Sequence, residues 1–204
     1  RNRRSRRLSK SAKDPGHYRL HLSFSDGRGG LNDRESINKA LAPVGLAVFP
    51  LDLASLADGL RALLAKEALG AAEKSRLMDA LLFTREQLLE IIESAGRKPH
   101  VQGGGALSTR VENHGYDYPQ LFVVEAGIDL GRFDRYHRNV AQDGTPVDEV
   151  AQLISGGGLK LCQWLPEDVE AIVTLDCPSP ERGWIITYDG GRPHIGSVSS
   201  ARIG

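Results

Sequence analysis

The sequence predicts an α+β protein, with a strand and a helical region in the N-terminal half and an antiparallel jelly-roll β-barrel in the C-terminal half. Three features predict it. Residues 17–24, "HYRLHLSF", alternate between apolar and polar side chains, which marks a half-buried strand. Leucines recur at helical spacing between residues 53 and 96. From 106 to 199 come eight short runs of β-formers separated by Gly, Pro and Asp, a texture that suits a closed or double-sheet barrel.

The chain opens on a basic arm. Residues 1–13, "RNRRSRRLSKSAK", carry seven Lys or Arg and no acid, an asymmetry that the net charge of zero conceals. Beyond them 19 basic residues face 26 acidic ones, so the body is acidic. An arm over 1–16 is expected to be a solvated tail or to dock on an acidic neighbouring subunit. Nucleic-acid binding is disfavoured, because an acidic body repels phosphate and no aromatic-interleaved basic face follows residue 13.

In the strand 17–24, Tyr18, Leu20, Leu22 and Phe24 share one face, and His17, Arg19, His21 and Ser23 the other. The following "SDGRGG" lacks the lysine and spacing of a phosphate loop and reads as a turn. A short helix from about Asp33, closed by Pro43, leads to a strand in "GLAVFPL". Residues 53–96 are read as helices, the third opened by Thr84 with Gln87 three residues on, a capping-box pattern. Its apolar face is Leu88, Leu89, Ile91, Ile92 and Ala95, and Gly96 ends it. These apolar residues read as core.

The eight β-runs are 106–111, 120–125, 132–140, 147–154, 158–165, 169–176, 183–189 and 194–199. The fourth is ambiguous on local grounds. "TPVDEVAQLISGG" also carries helix signals: Thr145 as N-cap, Pro146 at the first position, two acids and a closing glycine. The expected organisation is therefore the arm over 1–16, a strand with helices over 17–97, and the barrel over 98–204. Trp164 and Trp184 are expected to pack inside the barrel.

The bulk numbers exclude several classes. No run of about 18 apolar residues exists, so no membrane span is expected. No secretory signal pattern is present either; the sequence begins at Arg1 rather than Met, which leaves open a trimmed N-terminus. Cys162 and Cys177 form no zinc spacing and are expected as two buried thiols in a reducing cytoplasm.

The run "RFDRYHRNV" carries the first chemical signal. Its even positions, Arg132, Asp134, Tyr136 and Arg138, would face water, and its odd positions, Phe133, Arg135, His137 and Asn139, the interior. Polar groups inside a barrel cost free energy unless they are paired, liganded or hydrated.

At this point the chain resembles the cupin superfamily over residues 100–204. Glu149, six residues and Gly156 match the end of the first cupin motif. Gly183, "WIITY", Asp189, Gly190, Gly191, "RP" and His194 match the second at every spacing, with Asp189 in place of proline. The resemblance favours a strand for 147–154. Asn139 stands where the family's second histidine would be, and the interval to Glu149 is longer than usual. A lesser candidate for the first motif is "HGYDYPQLFVVEAG", with His114, Tyr116, Gln120 and Gly127 at loosely similar spacing. His17, His21 and His100 read as structural or surface residues.

The resemblance implies a site in which His137, Glu149 and His194 hold a divalent metal ion, iron or manganese in the first instance, with Asn139 as a neutral fourth ligand. Arg135 would attract an anionic group of the substrate, and Tyr188 would donate a proton or form a hydrogen-bonding wall. The implied function is a metal-dependent enzyme of lyase or dioxygenase type acting on a small aromatic or aliphatic acid. "GWIITYDGGRPHIGSV" is similar to the closing segment of cupin-type lyases such as 4-hydroxylaminobenzoate lyase. The alternative is a non-catalytic ligand-binding or structural module, in which both histidines are merely hydrogen-bonded and Glu149 pairs with Arg135. A homodimer is expected of such a barrel.

Overall fold

The computed structural model describes residues 19–66, 69–100, 136–140, 144–177 and 180–198. The expected arm and the runs 106–111 and 120–125 lie outside them. Among the described residues seven strands and four α-helices follow in chain order: β1 (Leu20–Phe24), α1 (Arg34–Leu41), β2 (Ala47–Asp52), α2 (Asp58–Leu64), α3 (Ala71–Leu81), α4 (Arg85–Ser94), β3 (Asp148–Leu153), β4 (Gly156–Leu165), β5 (Val169–Cys177), β6 (Arg182–Asp189) and β7 (His194–Val198). The ambiguous segment is the strand β3, as the motif spacing favoured.

The strands form two antiparallel sheets, ordered β1-β5-β4-β7 and β2-β6-β3. Among the described residues both sheets are open, so helices with two antiparallel sheets, rather than a closed barrel, is the observed architecture. Both sheets draw strands from either side of residue 98. β1 pairs with β5 from Leu20↔Leu175 to Phe24↔Ala171, and β2 with β6 from Ala47↔Thr187 to Asp52↔Arg182.

Two apolar cores follow from this layering. One lies between the sheets, where Leu22, Val173 and Leu175 meet Val48, Trp184 and Ile186. The second lies on the other face of β6, where Ile185 and Leu51 meet Leu63, Leu77 and Ile91 of the helices. A strand covered on both faces must be apolar nearly throughout, which is why β6 reads "WIITY" without strict alternation. β5 borders one core only and alternates buried and half-buried along its whole length.

Local chemistry sets the helix ends. Asp33 caps α1 by accepting from the Ser36 amide at 2.8 Å. Asn38 then pins α1 to β2, with its side-chain amide donating to the Val48 carbonyl and accepting from the Val48 N–H, each at 2.9 Å. Thr84 and Gln87 close the expected capping box on α4.

Two expectations need correction. The run 132–140 is not a continuous strand where it is described: residues 136–140 make isolated bridges, His137↔His194 and Val140↔Pro146. Its alternation nevertheless holds, with Tyr136, Arg138 and Val140 exposed and His137 and Asn139 half-buried. Trp164 is not interior. It lies on the outer face of β4, 41% exposed, with its ring centroid 5.8 Å from that of Tyr136. Trp184 is buried as expected. Both cysteines are free thiols, Cys177 buried and Cys162 half-buried. No described helix is long and apolar enough to cross a membrane.

Candidate functional site

Residues 136–140 stitch one corner of the sandwich together. His137 and His194 exchange both backbone hydrogen bonds, each at 3.0 Å, which attaches the segment to β7 in the four-stranded sheet. Two residues on, Asn139 donates to the Gly190 carbonyl at 2.6 Å and accepts from the Val147 N–H at 3.0 Å, which attaches it to the β3–β6 end of the other sheet. The chain therefore delivers His137 and Asn139 to the one corner where β7, β3 and β6 converge.

Cross-strand partners share a face. The pairings His137↔His194 and Gln163↔His194 therefore put three side chains in one row across the segment, β7 and β4. The His137 and His194 rings lie 4.3 Å apart between centroids. In the facing sheet Glu149 and Tyr188 are direct partners, and the Tyr188 ring lies 4.9 Å from that of His194.

His194 is 2% exposed. Its Nδ1 lies 2.9 Å from the Arg192 carbonyl oxygen. A carbonyl only accepts, so Nδ1 carries the proton and a neutral ring leaves its lone pair on Nε2. That Nε2 is buried without a hydrogen-bond partner among the described residues and faces Glu149 Oε1 at 3.5 Å. Pinning one ring nitrogen on a carbonyl while presenting the other is how proteins orient metal-ligating histidines.

Glu149 is held on both oxygens. Asn139 Nδ2 donates to Oε1 at 2.6 Å, and the Tyr188 hydroxyl donates to Oε2 at 2.8 Å. Burial, and then the Glu149 charge and hydrogen bond, push the Tyr188 phenol well above its ordinary pKa. Tyr188 thus stays protonated, which suits a hydrogen-bonding wall better than a proton donor.

The motif glycines have a direct steric reason here. A Cβ on Gly190 would collide with the Glu149 carboxylate and lie 2.6 Å from the Val147 carbonyl oxygen. A Cβ on Gly183 would collide with the Leu153 carbonyl, at the opposite end of β3. β3 and β6 approach too closely for any side chain at these two points.

A second polar cluster holds β3 from behind. Arg97, just past α4, pairs with the fully buried Asp148 carboxylate and donates to Thr187 Oγ1 at 2.7 Å. Thr187 in turn donates to the Glu149 carbonyl at 2.9 Å, and the His100 N–H reaches Asp148 at 2.5 Å. The backbone of Glu149 is thereby fixed from the helical side. His100 also stands near Asp189, at 3.4 Å, a structural placement in keeping with its expected role.

The structure thus gathers His137, Asn139, Glu149, Tyr188 and His194 at one corner, whereas Arg135 and His114 lie outside the described residues. Two of the expected ligands stand at a separation that a shared ion would tolerate: ligands about 2.1 Å from one ion lie roughly 3 to 3.4 Å apart, close to the 3.5 Å between His194 and Glu149. The His137 ring is tilted 58° against that of His194. Among the described residues no three His, Cys, Asp or Glu side chains are grouped as ligands of one ion.

Gln163 shares the row of His137 and His194 and was not among the expected residues. It is 1% exposed, and neither atom of its amide has a hydrogen-bond partner among the described residues. The signal in "LKLCQWL" was a polar residue in phase with Leu159 and Leu161.

The sequence matches no family model and no curated protein. Among solved structures the chain is similar to an acireductone dioxygenase from Bacillus anthracis with a cadmium ion in its active centre. The TM-score is 0.57 at 14% identity, over 91% of this chain and 89% of that one. That protein is a cupin-fold enzyme, so the likeness bears out the cupin fold and carries it into the N-terminal half, which the motifs left unexplained.

Proposed function

We propose that this chain is a metal-dependent enzyme of the cupin fold, dioxygenase- or lyase-type, acting on a small anionic organic molecule, an aromatic or aliphatic acid, for which Arg135 is the expected anion-binding residue. One observation carries the reading: His194 Nε2 is buried, has no hydrogen-bond partner among the described residues and is held 3.5 Å from Glu149 Oε1. Burying such an acceptor without a partner is costly, and a cation beside the carboxylate relieves both groups. The dioxygenase name of the structural neighbour supports the oxidative branch of this reading.

His194 and Glu149 would hold the ion, with His137 and Asn139 turning toward it as further ligands, and iron or manganese suits such a nitrogen and oxygen set. When bound, the ion would supply Lewis-acid polarisation of a substrate oxygen. The remaining work belongs to the chain. Tyr188 donates to Glu149 and keeps the carboxylate oriented, while the Arg192 carbonyl fixes the tautomer of His194. The proposal includes closure of the sheets into a jelly-roll barrel, a homodimer and a cytoplasmic setting.

A second reading, a non-catalytic module, has its own support. Both Glu149 oxygens already accept hydrogen bonds, from Asn139 and Tyr188, as in a polar core that needs no ion. Elemental analysis of protein purified without added metal, on wild type and Glu149→Gln, separates the two. The enzyme reading expects near-stoichiometric metal in wild type and its loss, together with turnover, in Glu149→Gln. Metal-free wild type leaves the module reading in place, whereas a variant that keeps its full metal and turnover removes Glu149 from the ligand set.

A further inference from the structure

Gln163 occupies an unusual position. Strand alternation turns Leu159, Leu161 and Gln163 of β4 to the same inner face, and Leu161 is buried in the core between the sheets. Gln163 continues that row into the corner beside His194, its direct partner on β7. A side-chain amide offers two donors and an acceptor, and here Nε2 and Oε1 are both buried and unpaired among the described residues. Leucine or methionine would fill such a position without that penalty.

Two directly paired residues therefore carry three buried polar atoms without hydrogen-bond partners among the described residues: Gln163 Nε2, Gln163 Oε1 and His194 Nε2. The Glu149 side chain, 25% exposed, marks the more open end of this corner, and Gln163 its closed end. We infer that Gln163 anchors the ligand of this site by reading an uncharged edge in which a carbonyl acceptor sits beside an N–H or O–H donor, as in a carboxamide or hydroxy-ketone. Gln163 Nε2 donates to the carbonyl and Oε1 accepts from the neighbouring donor, so one planar contact satisfies both atoms. The inference rests on reading the corner as a ligand site, and it deepens that reading by assigning the ligand's polar edge.

The test compares acetamide with acetone, which share a shape and differ by an amino group against a methyl. Ligand-observed NMR titration of the full chain gives both affinities, and elemental analysis of the same samples gives the metal content. Wild type should bind acetamide about tenfold more tightly than acetone, the worth of one hydrogen bond in a dry site. Gln163→Met keeps the length, removes both polar atoms and should erase the preference. Gln163→Asn withdraws the amide by one methylene, should erase it too, and carries the test if Gln163→Met does not fold. A preference that survives in a folded variant, or wild type with no preference, overturns the assignment. Neither probe needs an ion, so metal-free wild type sinks the metal-enzyme reading and leaves this comparison intact. Metal-loaded wild type that binds both probes equally sinks the role of Gln163 alone.

Discussion

Asn139 donates its side-chain amide to Glu149 at 2.6 Å, so the residue standing at the family's second histidine is bonded to the carboxylate it would otherwise help to ligate an ion. Asn139→Ala removes one hydrogen bond and should lower stability by about 1 kcal/mol. Asn139→His restores an imidazole at that point and should tighten binding of Mn(II) or Co(II) by about tenfold or more, since second nitrogen donors raise affinity for such ions. Calorimetric titration of both variants checks the pair; equal affinity in Asn139→His and wild type removes Asn139 from the ligand set.

Gly190→Ala tests the close approach of β6 to the carboxylate. The new methyl collides with the Glu149 carboxylate, which can swing aside, and with the Val147 carbonyl, which cannot shift without disturbing the hydrogen bond it accepts from the Gly190 N–H. A loss of about 1–3 kcal/mol in urea unfolding is expected. Metal binding should fall as well, because Glu149 must swing away. Gly144→Ala, at a glycine with nothing near its missing Cβ but a positive φ of 84°, is a control that strains the backbone without touching Glu149.

The Arg97–Asp148 pair predicts a large stability effect from a residue outside both motifs. Side-chain exposure is 9% and 0%, so removing the guanidinium leaves a buried carboxylate without its counter-charge. Arg97→Ala should cost about 3–5 kcal/mol, and Arg97→Ala with Asp148→Ala considerably less. Urea unfolding of the single and double variants measures the coupling directly; a double variant no more stable than the single one contradicts it.

Alkaline pH supplies the next expectation. Burial pushes the Cys177 thiol up to about 12 and the Cys162 thiol up to about 11. A group whose pKa is higher in the folded than in the unfolded chain contributes stability that is whole below its unfolded pKa and is lost as pH rises. Stability should therefore hold to about pH 8.5, the ordinary thiol pKa, and decline toward 11 and 12. Cys177→Ala should flatten that decline, as read from urea midpoints at pH 7.5, 9.5 and 10.5. A variant that declines as steeply as wild type assigns the loss to other groups.

What the sequence disclosed and withheld follows the range of each interaction. The capping box at Thr84 and the alternation of β5 depend on neighbours a few residues away, and both were legible. β3 was not, because its helix signals are local whereas its partner β6 lies more than thirty residues on; motif spacing decided it. The placement of β1 and β2 in sheets with β5 and β6 left no local trace at all. In the site, His137, Glu149 and His194 stood out by residue type. Gln163 did not, since an amide between two hydrophobic residues passes for a surface position unless its phase with Leu159 and Leu161 is followed.

The pairing of the first strands with the late ones also dictates how the molecule comes into being. During synthesis, β1 and β2 leave the ribosome with their edges unpaired, and their partners are not made until residues near 175 and 187 appear. Until then only the helices, whose hydrogen bonds are internal, can form. Loop closure of that length is slow, on the order of milliseconds to seconds for topologies of this kind. Unpaired strand edges in the interval invite association between nascent chains. The corner that holds His194 and Glu149 is therefore among the last parts to assemble, and a truncated chain cannot contain it.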